Sequence, residues 1–416
     1  MYSFIAEYDT GTALLLRWHF AREEALITIP MPMKVPQKKT LCLYLIIVIF
    51  AVLAIEGLSW LALKQVFLPR GYVYKPKLIQ TLSSYAKYQA YGVASWGIGP
   101  DLVAQRSSGP GETQPLTESA YASICVSLYG DSFTADLRWG EWVADMMGCS
   151  VANYGVPGFG IDQALMRFED TAYDTAGTVV LSFFSEDIAR HVTRNFDVWV
   201  YQPSEFGGSV FASKARYITQ PNGRLKYVPA EARTFVEFEA AVHDPAAHVP
   251  HDYLVAGGMS GLPIWRFPFT LTLARIFFHW KVQAKLAQLP WYGQLYMPDH
   301  ESSALPISVE VVHRFVAVAQ ARGKRSVVQL LPSILDFQHY ARTGVWPYQS
   351  LIDALVARNV QMHNLGDDML KEINIDEACA LFDTGQSSGI EGCGGHYSEL
   401  GYRILARHTA TQVEAL

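Results

Sequence analysis

A serine, a histidine and backbone donors gathered at strand ends are sufficient for acyl transfer, and the chain offers a set with the right order. Leu128-Tyr129-Gly130-Asp131-Ser132-Phe133-Thr134 places Ser132 just after an apolar run, with Gly130 two residues before it. A serine there is exposed above a sheet, where an imidazole takes its proton and backbone N–H groups meet the oxyanion. Gly-Asp-Ser alone is a weak signal, because a serine at a strand-to-helix turn is commonly just a helix cap. Two later blocks add weight. Asn153-Tyr154-Gly155-Val156-Pro157-Gly158 follows a second apolar run, so its glycines can offer an N–H to the same site. His396-Tyr397-Ser398 precedes the last helical stretch, which puts an imidazole at a loop-to-helix junction.

The elements that must hold these residues are legible as alternating strand-like and helix-like runs. Strands are expected at 122–130, 150–155, 177–184, 326–332 and 360–366, with helices after or between them, the last beginning near Ser398. Such alternation predicts an α/β domain: a flavodoxin-like, three-layer parallel sheet with its site at the C-terminal strand ends. An insertion over about 191–306 interrupts it and reads as a lid. Its centre, LPIWRFPFTLTLARIFFHW (262–280), is aromatic but carries Arg266, Pro268 and Arg275, so it reads as a packing helix or an interfacial one, not a second span. His191 and His313 have no partner at ligand spacing and read as surface or capping residues.

The three blocks and the alternation together resemble the SGNH (GDSL-like) hydrolase family over most of residues 122–413, the insertion excepted. The resemblance implies the SGNH hydrolase fold, with Ser132 as nucleophile, His396 as base, and Gly155 as an oxyanion donor beside the Ser132 N–H. Two positions depart from the family pattern. Glu186 stands in Phe184-Ser185-Glu186-Asp187 where the family has an oxyanion-binding Asn, and an ionised carboxylate has no proton to donate. Ser185 is the substitute donor considered. The positions two and three residues before His396, Gly394 and Cys393, hold no acid, so the orienting group is sought at Glu391 or Asp383, or in a backbone carbonyl.

The five cysteines show no metal-site spacing. Cys125 and Cys149 read as small buried side chains. Cys379 and Cys393 flank the Gly/Ser-rich loop before His396, where a disulfide would steady it in an oxidising compartment. No cofactor or metal is implied.

Half the residues are apolar and 17% charged, which leaves apolar surface for something other than water. Leu41–Leu63 supplies the reason: some 23 nearly uncharged residues, enough for a transmembrane helix. Lys34, Lys38 and Lys39 before it favour a cytoplasmic N-terminus and a periplasmic catalytic domain. The organisation expected is a tail over 1–40 whose true start is Met33 in one reading, an anchor over 41–66, a connecting loop region over 67–119, and the catalytic domain over 120–416. A net charge of −6 without a dense basic block argues against nucleic acid. The function expected is ester hydrolysis or O-acyl transfer on acyl esters of a cell-surface or exported polysaccharide, alongside an unidentified polysaccharide-synthesis or acyltransferase partner. The alternatives are a catalytically weak SGNH domain that binds glycan or assists assembly, and a lipid esterase.

Overall fold

The computed structural model describes residues 38–75, 105–116, 123–194, 214–385 and 392–416, less positions 172, 232 and 288, with Tyr85 and three strands near the N-terminus. The chain divides into two units, Met1–Trp60 and Leu61–Leu416.

In the first unit, β1 (Phe4–Asp9), β2 (Ala13–Phe20) and β3 (Glu23–Pro30) form an antiparallel sheet in that order. Helix α1 (Lys38–Ala62) follows, its apolar side chains exposed along its length. The continuous helical run Lys39–Phe67 is long and apolar enough to cross a membrane.

The second unit is built on a seven-stranded sheet. Its chain order runs β4 (Gln105–Ser107), β5 (Thr113–Pro115), β6 (Ile124–Gly130), α2 (Ser132–Ala135), α3 (Leu137–Met147), β7 (Ser150–Asn153), α4 (Ile161–Asp170), β8 (Thr178–Phe184) and α5 (Asp187–Arg190). The insertion then holds a hairpin of β9 (Arg216–Thr219) and β10 (Leu225–Val228), and helices α6 (Phe235–His243), α7 (Phe269–Phe277) and α8 (Trp280–Leu286). The core resumes with α9 (Ala304–Ala321), β11 (Arg325–Leu331), α10 (Ile334–Thr343), α11 (Gln349–Val356), β12 (His363–Asn364), α12 (Leu365–Glu372) and α13 (Glu399–Glu414).

Spatially the order is β12-β11-β8-β6-β7-β4-β5. The first four pairings are parallel and the last two antiparallel. Numbered along the chain, the parallel strands lie 2-1-3-4-5, the doubly wound order whose direction reverses between β6 and β8. Val126, Leu128, Val179, Val180 and Leu181 are wholly buried, as expected of strands covered on both faces. Each such side chain contributes roughly 1.5–3 kcal/mol. In one covering layer α9 packs against both α4 and α11, and in the other α13 packs against both α3 and α12. Helix α9 is half buried in its layer, which makes it a core helix despite its apolar length.

The expected elements are present with three corrections. β7 stops at Asn153, short of 155, because the Asn153 side chain accepts the Gly155 N–H and turns the backbone out of the ladder. β12 is two residues long because Asn364 caps α12, accepting from Gly366 N at 3.1 Å. The region before the domain is more than loop: β4 pairs antiparallel with β7 and extends the sheet.

The insertion is tied to the core through buried charge. Lys214 meets Asp162 of α4 at 2.6 Å with both side chains fully buried, while within the insertion Arg216 donates to the Val192 and His251 carbonyls. His191 is also buried, its Nε2 3.0 Å from the Ala304 carbonyl, and burial drives its imidazole down to about 3. This corrects the surface or capping reading, which overlooked that the insertion covers the α5 end. His313 is exposed on α9.

Candidate active site

The serine turn follows directly from β6. A Cβ at Gly130 would overlap the Ser182 carbonyl and the Thr134 hydroxyl, so only glycine lets the strand close on β8 here. Asp131 then caps α2, its Oδ1 accepting from Phe133 N at 2.8 Å and Thr134 N at 3.4 Å. Those bonds bend the chain so that half-buried Ser132 stands at the strand end.

Asp131 belongs to a buried group of charges beneath the serine. Its Oδ2 lies 3.8 Å from Arg190 Nη1, which pairs with Asp187 at 2.8 Å. Burial raises the Asp187 carboxyl well above the usual range, with the Asp131 charge adding to it and Arg190 opposing. The group fixes the turn, so Asp131 serves the architecture of the nucleophile.

His396 comes from the other end of the chain. Its Nε2 stands 3.0 Å from Ser132 Oγ, and its ring stacks on Phe133 at 4.9 Å between centroids. Three restraints aim it. Phe382 and Tyr397 form an antiparallel bridge, continued by Asp383 N donating to the His396 carbonyl at 2.9 Å. Ser398 caps α13, accepting from Gly401 N while donating to the Ala380 carbonyl at 2.7 Å. A disulfide joins Cys379 to Cys393, three residues before the histidine. Cys125 and Cys149 are joined as well, which corrects their reading as small buried side chains; strand pairing of Ile124 with Ser150 brings them together at the far ends of β6 and β7.

Orientation of His396 departs from a carboxylate-paired triad. Among the described residues, none forms a hydrogen bond or ion pair with its Nδ1. Asp383 lies on the strand opposite, but its Oδ1 accepts from Gly385 N at 3.2 Å and packs over Gly394, where a Cβ would collide with it. Glu391 lies outside the described residues.

Both expected oxyanion donors are otherwise engaged. The Gly155 N–H donates to Asn153 Oδ1 at 2.9 Å, and the residue is glycine because a Cβ would press on Thr134 and Ala135. Ser185 is fully buried: its N–H donates to the Leu331 carbonyl at 2.9 Å and its hydroxyl to Asp336 Oδ2 at 2.5 Å. It works instead in a buried network with Tyr292, Tyr296, Ser333 and Asp336. Among the described residues, the N–H groups of Ser132 and Gly158 have no hydrogen-bond acceptor. Gly158 is the third residue of a Val156–Phe159 turn with φ of 84°, as a Pro-Gly type II turn requires. Val156 N in turn donates to the Gly130 carbonyl at 3.1 Å, which lays this turn alongside the serine loop. The Pro157-Gly158 pair was the sequence signal for it.

Glu186 follows Ser185 and is half-buried. Burial raises its carboxyl above the ordinary range, against the charges of Arg190 and Lys281 and a hydrogen bond from Trp291. Among the described residues no three His, Cys, Asp or Glu side chains are grouped to hold a metal ion. No family model matches the chain, and no curated protein matches it.

Proposed function

We propose that the chain is a membrane-anchored serine ester hydrolase or O-acyltransferase of the SGNH type. The observation that carries this reading is the 3.0 Å approach of His396 Nε2 to Ser132 Oγ beside the strand-order reversal of a doubly wound sheet. Ser132 Oγ attacks an ester carbonyl as His396 takes its proton, and the Ser132 and Gly158 N–H groups receive the oxyanion. Collapse expels the alcohol with that proton and leaves an acyl-serine. Water or a sugar hydroxyl, deprotonated by the same imidazole, then resolves it. The acyl ester of an exported polysaccharide remains the substrate proposed, with the domain on the periplasmic side, where both disulfides are chemically at home.

A second reading, a catalytically weak SGNH domain that binds glycan or aids assembly, draws on the lack of a carboxylate partner for His396 among the described residues and on Glu186. A fluorophosphonate probe on the full-length protein in detergent separates the two. Labelling of wild type that disappears in both Ser132→Ala and His396→Ala supports the enzyme; a folded wild type that takes no label supports the binding module.

A further inference from the structure

Helix α7 and its flanks are apolar on two faces. Inward, buried Ile276 clusters with Leu63 and Val73, with Phe67, Tyr72, Trp265 and Phe269 packed around them. Outward, Phe267, Leu271 and Phe278 are 69%, 59% and 83% exposed, and Ala274 is exposed between them. Where a helix facing water would be polar, Leu271, Ala274 and Phe278, spaced three and four residues apart, draw one stripe along it, and Phe267 adds an exposed ring just before the Pro268 cap. Leu286 on α8 adds a further side chain, 71% exposed.

The position of the stripe and its charge identify what covers it. Phe67, the last residue of the apolar run Lys39–Phe67, packs edge-on against Phe277 at 5.7 Å, so the patch begins where that run ends. Residues 262–290 contain Arg266, Arg275, Lys281 and Lys285 and neither Asp nor Glu. An apolar stripe on a segment that carries Arg266, Arg275 and Lys285 and no acid suits the interface of an anionic bilayer, with aromatic rings below the headgroups and cations among them. We infer that α7 and the start of α8 dock on the anionic lipid surface of the membrane crossed by Lys39–Phe67.

The docked segment also reaches inward to Glu186, the residue after Ser185. Lys281 follows Phe278 by three residues, its Nζ lies 4.3 Å from the Trp291 ring, and Trp291 hydrogen-bonds Glu186. The inference rests on the anchored reading of the helix and not on catalysis.

The test uses full-length protein carrying Cys42→Ala and one environment-sensitive fluorophore, on Phe278→Cys or on Leu271→Cys, reconstituted in vesicles of phosphatidylcholine and phosphatidylglycerol. The expected result is quenching by doxyl-labelled lipid and protection from aqueous iodide at both positions, with the reverse at Val356→Cys, 62% exposed on α11. Vesicle-bound protein whose Phe278 label is quenched by iodide overturns docking and leaves the anchor intact. A label shielded from both quenchers means that protein covers the stripe, which also overturns it. Failure of the protein to float with vesicles removes the anchor and the inference together.

Discussion

Ser132 Oγ and His396 Nε2 lie 3.0 Å apart across 264 positions of sequence. The serine is set by a glycine that tolerates no Cβ and by the Asp131 cap, the histidine by a bridge, a cap and a disulfide. Neither side chain fills the core, so removing either should leave folding intact. Ser132→Ala should abolish turnover of p-nitrophenyl acetate, and His396→Ala should lower kcat by roughly 10²–10⁴-fold, the contribution of a positioned general base. Melting curves of both should overlay wild type. Turnover retained in Ser132→Ala would place the chemistry elsewhere.

The two disulfides should separate stability from activity. Cys125–Cys149 and Cys379–Cys393 join residues 24 and 14 positions apart, and cross-links over such lengths contribute around 3 kcal/mol each in the chain-entropy account. Only the second lies beside the base. Cys379→Ser with Cys393→Ser should therefore lower kcat on the order of tenfold or more, because misplacing the imidazole is costly. Cys125→Ser with Cys149→Ser should lower the denaturation midpoint while leaving kcat unchanged. Equal kcat losses in the two pairs would refute a positioning role for the loop disulfide.

What was legible in the sequence was what local chemistry and periodicity determine. The buried strands announced themselves as apolar runs, and Ser132 and His396 as polar residues at their ends. The oxyanion donors were not legible, because an N–H is a donor only while nothing else takes it. Gly155 is consumed by Asn153 two residues away and Ser185 by Asp336 across 151 positions, and no pattern in the chain reports that competition. The short strands β4 and β5 were hidden for a related reason: three-residue strands have no period to detect. His191 was misread because its surroundings come from a helix more than a hundred positions away.

Glu186 gives a pH signature. Burial favours its neutral form, and a neutral carboxyl donates a hydrogen bond as the Asn of the SGNH pattern does. Raising the pH through its elevated pKa removes that proton, and where the carboxyl faces the reacting carbonyl the charge left behind opposes the developing oxyanion. Glu186→Gln keeps a donor at every pH, so its kcat relative to wild type should rise with pH. Steady-state kinetics between pH 5 and 9 measure the ratio; a ratio flat in pH would mean that Glu186 does not face the reacting carbonyl.

Asp336 should govern stability in acid. Burial lifts its carboxyl to about 6, although Ser185, Ser333 and Tyr292 all donate to it and pull it down. The ordinary carboxyl lies near 3.8, so between those values the folded chain holds a proton that the unfolded chain has released. The sign follows from linkage: the folded state binds more protons, and stability falls as pH rises through that window. A shift of about two units corresponds to roughly 3 kcal/mol at most. Asp336→Asn cannot titrate, so its unfolding free energy, read by urea denaturation at pH 4, 5, 6 and 7, should lose about that much of the wild-type slope. It should also be less stable at pH 4 by about 1–3 kcal/mol, because the Asn amide turns donors toward groups that already donate. A wild-type slope preserved in the variant would assign the acid dependence to Asp187 and Glu186, whose carboxyls burial raises in the same direction.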